Sequence, residues 1–203
     1  GIRVRRADAV GSRIFTDGNS AAALGCVYGG ATVAAWYPIT PSSSVAESFQ
    51  KYCEKFRVDP STGQHRFAIV QAEDEIASIG MVVGAGWNGA RAFTATSGPG
   101  VSLMTEFIGL AYFAEIPCTI INVQRGGPST GIPAKSEQSD LSFAVDGLHG
   151  DAPRLVLAPT SIADCLATTE WAVQLAEALQ APALVLSDQF MGQSRVVIDR
   201  PAH

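Results

Sequence analysis

The sequence is short of charge. Only 16% of its 203 residues are Asp, Glu, Lys or Arg, the formal net charge is -5, and the cations nowhere form a run. A nucleic-acid partner calls for a basic stripe to neutralise phosphates, so this composition argues against one. Cysteine is equally sparse: Cys26, Cys53, Cys118 and Cys165 lie far apart, with no C-x-x-C pair and no histidine at ligand spacing. The chain is therefore not expected to hold a metal or an iron–sulfur cluster of its own. Buried free thiols are the expectation, and they suit a reducing compartment. No signal peptide is recognisable and no apolar run reaches the length of a bilayer span, so the expected location is cytoplasmic, with no membrane partner. A G-x-G-x-x-G between strand and helix is also missing, because Gly25 and Gly29-Gly30 fall at the end of a helix, and this disfavours a nucleotide-binding Rossmann domain.

What the sequence has in quantity is apolar side chains, at 47%, and glycine, at 20 residues. That suits one core around a sheet buried on both faces by helices. Residues 1–18, with Arg3, Arg5 and Arg6, read as a linker or the end of an upstream segment, residues 19–190 as the domain, and residues 191–203 as a connector to a further C-terminal domain. The absence of an initial methionine suits a piece of a longer polypeptide.

Read in order, strand-like and helix-like stretches alternate. A short β-like stretch ends at the turn Asp17-Gly18, after which Asn19 or Ser20 can cap a helix that stops among Gly29 and Gly30. A strand over 32–36 terminates in Tyr37-Pro-Ile-Thr-Pro41, where each proline removes a ladder donor. Ser44-Val-Ala-Glu47 reads as a capping box for a helix to about residue 56. Residues 67–70 form a strand that runs into Glu73, Asp74 and Glu75 and then a small-residue helix over 76–87. Gly80, Gly84 and Gly86 each cost that helix up to about 1 kcal/mol against alanine, so another helix or a second subunit is expected to press there. Strand 92–96, loop Ser97-Gly-Pro-Gly100, helix 101–113 and strand 118–123 follow, and the last opens into a glycine-rich loop over 124–133. Strand 155–157, a helix over 162–179 behind the capping box Ser161-Ile-Ala-Asp164, and strand 183–186 complete the pattern. It predicts an α/β fold, a mainly parallel sheet with helices on both faces.

Glu75 stands where a strand becomes a helix, at the edge of an open parallel sheet where ligands bind. Three acids in a first helical turn also suit the positive end of a helix dipole without any function. A loop as long as 124–133 between tight βα units is the second candidate pole of a site. In it Arg125 offers a planar fork suited to a carboxylate, or to a surface ion pair. Thr40, held between Pro38 and Pro41, is either a turn residue or a hydroxyl donor.

Four segments in one order change the balance: Tyr37-Pro-Ile-Thr-Pro-Ser-Ser43, Gln71-Ala-Glu-Asp-Glu75, Thr96-Ser-Gly-Pro-Gly-Val-Ser-Leu-Met104 and Gln124-Arg-Gly-Gly-Pro-Ser-Thr-Gly131. Together they resemble the 2-oxoacid:ferredoxin oxidoreductases, in the thiamine diphosphate-binding, pyrimidine-type domain of those enzymes. The chain looks most like the alpha subunit of 2-oxoglutarate:ferredoxin oxidoreductase, where Gly-Pro-Ser-Thr-Gly followed by Glu137-Gln-Ser-Asp-Leu141 and Leu148-His-Gly-Asp151 is typical. The resemblance extends over residues 15–187.

It implies thiamine diphosphate shared with a partner chain, a beta subunit that brings the diphosphate-binding domain, Mg2+ and a 4Fe–4S cluster; no Gly-Asp-Gly marks that half here. The implied reaction is oxidative decarboxylation of a 2-oxoacid, 2-oxoglutarate before pyruvate or a branched-chain acid, to acyl-CoA, with coenzyme A as acceptor and electrons passed to ferredoxin. The implied assembly is a dimer of heterodimers. Glu75 takes the place of the catalytic glutamate that hydrogen-bonds the cofactor's pyrimidine, ahead of Glu73 and Asp74. Thr40 and Arg125 take substrate-binding places, and Lys135, with Ser129 and Thr130, those facing a distal carboxylate, although Ala134 stands where relatives often have threonine. Ser97, Gly98, Pro99 and Gly100 would line the pyrimidine pocket through their backbone, and His149 reads as structural. A non-catalytic interaction module of the same fold is the competing reading.

Overall fold

The computed structural model describes residue 3 and residues 9–201. Arg5 and Arg6 lie outside the described residues. Six strands form one parallel sheet: β2 (Val33–Trp36), β3 (Ala68–Gln71), β4 (Ala92–Thr96), β5 (Cys118–Gln124), β6 (Leu155–Leu157) and β7 (Pro182–Asp188), in the spatial order β3-β2-β4-β5-β7-β6. The register sets Ala95 beside Ile121 and Ile121 beside Val185. A separate antiparallel ribbon pairs β1 (Ile14–Asp17) with β8 (Arg195–Ile198), Phe15 opposite Val197. The stretches read as linker and connector thus meet in one element. Within the second of them lie β8 and the end of α7 (Gln189–Gln193).

Strand alternation builds two cores. Phe93, Ile121 and Val185 point to one face, where they pack with α1 (Gly18–Tyr28), α2 (Ser43–Phe56) and α6 (Ile162–Leu179) through Cys26, Phe49 and Val173. Ile120, Leu184 and Leu186 point to the other, against α3 (Glu75–Trp87), α4 (Gly98–Phe113) and α5 (Leu141–Asp146) through Ile79, Met104 and Ala144. Each fully buried Ile, Leu or Phe contributes roughly 1.5–3 kcal/mol. The four cysteines are free and buried within these layers.

Helix starts depart from the sequence expectation by a residue or two. Asp17, not Asn19 or Ser20, caps α1, its Oδ1 accepting from Ser20 N at 2.7 Å. Asn19 is instead buried and donates to Pro41 O at 2.8 Å and to Ser44 Oγ at 2.9 Å. That engagement removes Ser44 from any capping box. The helix begins at Ser43, whose Oγ accepts from Ile39 N at 3.1 Å. Ser161 does cap α6, while Asp164 reaches back to Thr160 N. Along α3 the expected neighbour is α4 and the turn that follows it: a Cβ on Gly80 would touch the Phe107 ring at 3.2 Å, and one on Gly86 would meet Pro117 O at 2.6 Å. Gly84 faces open space, with nothing among the described residues pressing on it.

Strand order places the site. The chain leaves β2 for β3 on one side and returns to β4 on the other, so the C-terminal ends of β2 and β4 border a crevice where the connections diverge.

Candidate functional site

The loops after β2, β3, β4 and β5 all open on this edge. The three acids after β3 separate by environment. Glu73 is exposed, and Asp74 caps α3, its Oδ1 accepting from Ala77 N at 2.6 Å. Glu75 is only 8% exposed. No hydrogen bond reaches its carboxyl group among the described residues, and the charge it feels is that of Arg125. A largely buried acid with no hydrogen-bond partner among the described residues has acceptors left for a group from outside the chain.

Arg125, at the end of β5, is 6% exposed. Its Nη1 donates to Thr40 O and its Nη2 to Thr130 O, while Nε is buried without a partner. Burial pushes its pKa down from the usual guanidinium value, and Glu75 opposes that shift. The fork read as suited to a carboxylate also clasps the Thr40 turn to the glycine-rich loop. The Thr40 side chain lies exposed at the crevice. Its turn is pinned by Asn19 on Pro41 O and by Ser42 Oγ, which donates to Ile39 O at 3.0 Å.

The loop after Arg125 is ordered by its own backbone. Gly126 N donates to Lys135 O at 2.8 Å, Ile132 N to Gly126 O at 2.7 Å, and Gly127 N to Glu137 Oε2 at 3.1 Å. Gly131 has φ 65, and a Cβ there would run into Gly126 O, so only glycine closes this turn. Between the loop and the start of α4 lies an open cavity of about 670 Å3. Gly98, Pro99, Arg125, Ser129 and Thr130, five of the residues singled out in the sequence, line it together.

Other expected residues stand elsewhere. Ser97 is buried behind the cavity and donates to Val123 O at 2.9 Å. Gly100 packs against Glu75 and Thr96, not against the cavity. Lys135 is exposed and holds the loop through its backbone. His149 faces Glu106 at 3.5 Å on a different surface. Two acids on the cavity wall, Glu137 and Asp140, carried no assigned role in the sequence. Their only signal there was the segment Glu137-Gln-Ser-Asp-Leu141, whose carboxylates look like ordinary loop polarity until the fold brings them to the wall.

Comparison with known proteins follows this geometry. The family model described as pyruvate flavodoxin/ferredoxin oxidoreductase, thiamine-diphosphate-binding, matches residues 24–202. The chain is 44% identical over 191 residues to the 2-oxoacid:ferredoxin oxidoreductase subunit alpha of Saccharolobus solfataricus, covering 93% of this chain and 30% of the relative. It is 44% identical over 187 residues to the 2-oxoglutarate synthase subunit KorA of Methanothermobacter thermautotrophicus, covering 92% of this chain and 47% of the relative. Among solved structures, 2-oxoglutarate:ferredoxin oxidoreductase from Magnetococcus marinus, with 2-oxoglutarate, coenzyme A and succinyl-CoA bound, superposes with a TM-score of 0.87 at 45% identity, over 98% of this chain and 33% of that one. The chain thus spans between 30% and 47% of the length of these relatives.

Proposed function

Because the chain belongs to the thiamine-diphosphate-binding family of the pyruvate flavodoxin/ferredoxin oxidoreductases, we propose that it supplies the pyrimidine half of the cofactor site in a 2-oxoacid:ferredoxin oxidoreductase. The observation that carries this reading is Glu75, largely buried at the C-terminal edge of the sheet with no hydrogen-bond partner among the described residues. The residues fit the group. A largely buried carboxyl with no hydrogen-bond partner among the described residues can share a proton with a ring nitrogen, and glycine at position 100 leaves the space in which its side chain lies. When bound, the cofactor supplies the carbon nucleophile and the electron sink that decarboxylation of a 2-oxoacid requires. Glu75 holds the proton at the ring. The Thr40 hydroxyl and the charge of Arg125 orient the substrate's carboxylate end, and Gly98 and Pro99 form the wall behind it.

Acyl transfer to coenzyme A and electron transfer to ferredoxin belong to the whole enzyme. They call for a partner chain with the diphosphate half, Mg2+ and a 4Fe–4S cluster. Its seat is the outer face of α3, where Ile76, Met81 and Trp87 are exposed and no charge interrupts them. Such an uncharged apolar face, on the helix that Glu75 begins, suits burial against another chain. A dimer of such heterodimers is the proposed assembly.

The substrate we favour is 2-oxoglutarate, in keeping with the KorA relatives and the ligand in the Magnetococcus structure. One observation favours a second reading, a 2-oxoacid without a distal carboxylate: Glu137 and Asp140 stand on the cavity wall and Lys135 does not. The experiment is anaerobic reduction of an artificial acceptor by the complex purified with its partner chain, with coenzyme A and either 2-oxoglutarate or pyruvate, for wild type and Glu75→Ala. Turnover on 2-oxoglutarate that collapses in the variant is expected. Preference for pyruvate would move the substrate assignment, and undiminished turnover and cofactor affinity in Glu75→Ala would defeat the site assignment.

A further inference from the structure

The first turn of α4 is wedged between two acids. On one side lies Asp140: a Cβ on Gly98 would sit 2.7 Å from its Oδ2 and 3.2 Å from its Oδ1. On the other lies Glu75: a Cβ on Gly100 would come 2.8 Å from its Cγ and collide with Thr96 Oγ1. The intervening Pro99 has a ring-locked φ. Gly98-Pro99-Gly100 is thus a stiff spacer whose two faces have no room for even a methyl group.

Asp140 is itself fixed. Its Oδ2 accepts from Asn122 Nδ2 at 2.9 Å, and its backbone N–H donates to Gln124 Oε1 at 3.1 Å. Gln124 Nε2 in turn donates to Ser187 O at 3.1 Å, which ties this anchor across β5 and β7. Asp140 also closes the loop that carries Ser129, Thr130 and Glu137 around the cavity. At the start of α4 the residue in the capping position, Ser97, gives its hydroxyl to Val123 O and not to the helix. The negative charge against that positive helix end comes from Asp140.

We propose that Asp140 is a positioning residue for Glu75, acting through the first turn of α4. The inference rests on the reading of Glu75 as the cofactor's proton partner. A shift of the loop at Asp140 displaces Gly98, and the packed turn passes the displacement to Gly100 and the Glu75 side chain, because close-packed groups transmit strain rather than absorb it. Occupancy of the substrate loop and the placement of the catalytic carboxyl are then one adjustment.

The test uses the complex with its partner chain and compares wild type, Asp140→Ala, Asp140→Asn, Gly98→Ala, the double variant Gly98→Ala/Asp140→Ala, and Glu75→Ala as reference. Thiamine diphosphate affinity is titrated by intrinsic fluorescence on cofactor-depleted complex, alongside kcat, its pH profile and Tm. Asp140→Ala is expected to lower kcat by about tenfold or more and to displace the pH profile, since misplacement by about 1 Å is costly at a reacting centre. Asp140→Asn, which keeps the shape and the acceptor for Asn122, recovers most of that loss. Gly98→Ala weakens both turnover and cofactor affinity, and Asp140→Ala in the same chain restores part of each, because the colliding atoms are gone. This rescue decides the matter even where a single variant melts early. Unchanged kcat, affinity and pH profile in Asp140→Ala, or losses that simply multiply in the double variant, overturn the proposal. Silent Asp140 variants beside an inactive Glu75→Ala defeat this inference alone; a fully active Glu75→Ala defeats the reading beneath it.

Discussion

Gly100 shows how little space surrounds the proposed catalytic carboxyl. A methyl group there meets Glu75 Cγ at 2.8 Å and Thr96 Oγ1 closer still. Gly100→Ala should lower turnover by about a hundredfold through displacement of Glu75, with KM for the 2-oxoacid little changed, as steady-state kinetics of the assembled enzyme would show. Arg125 invites the opposite pattern. Lysine keeps the charge but cannot grip Thr40 O and Thr130 O together, so Arg125→Lys should raise KM and make the 126–137 loop more sensitive to limited proteolysis. At this scale the sequence ranked Glu75 ahead of Glu73 and Asp74, and of the three the fold buries only Glu75, whereas nothing in the sequence pointed to the backbone carbonyls that hold the Arg125 fork. The difference lies in its partners. Backbone carbonyls of Thr40 and Thr130 come to the guanidinium only once the chain has folded, and no side-chain pattern announces them.

The elements were the most legible part, because strands buried on both faces read as apolar runs and the helices between them as small-residue or amphipathic stretches. Their starts were less so. Ser42, Ser43 and Ser44 are equivalent on paper, and what separates them is Asn19, which claims Ser44 from a distant part of the chain. Asp74 carries a prediction of its own. As the cap of α3 it should contribute about 1 kcal/mol, so Asp74→Ala should lower the thermal midpoint and loosen the turn that bears Glu75. Ile79, on the inner face of the same helix, is fully buried, and Ile79→Ala should destabilise the fold by about 2–5 kcal/mol in denaturant titration.

For the molecule as a whole, the division between inner and outer apolar surface matters most. Trp87 is 66% exposed and Met81 44% exposed on a helix without an outward charge. Lysine at either position should leave the monomer's thermal midpoint nearly unchanged while weakening association with the partner chain, measurable by sedimentation velocity. The buried thiols predict a response to alkali. Burial pushes Cys53 up to about 11 and Cys118 and Cys165 to about 12. Each pKa is higher folded than unfolded, so the contribution to stability is complete below the unfolded value near 8.5 and is lost as pH rises toward those folded values. Native protein at pH 8 should resist alkylation that proceeds readily in denaturant. The two ends of the chain were the least legible region, since β1 and β8 are four residues each and pair across almost the whole length of the chain, Phe15 with Val197. That pairing makes the domain a cassette with a single hilt. Whatever polypeptide precedes β1 and whatever follows β8 is fastened at one spot, so evolution can splice the unit into chains of different length and domain order without interrupting a strand of the parallel sheet.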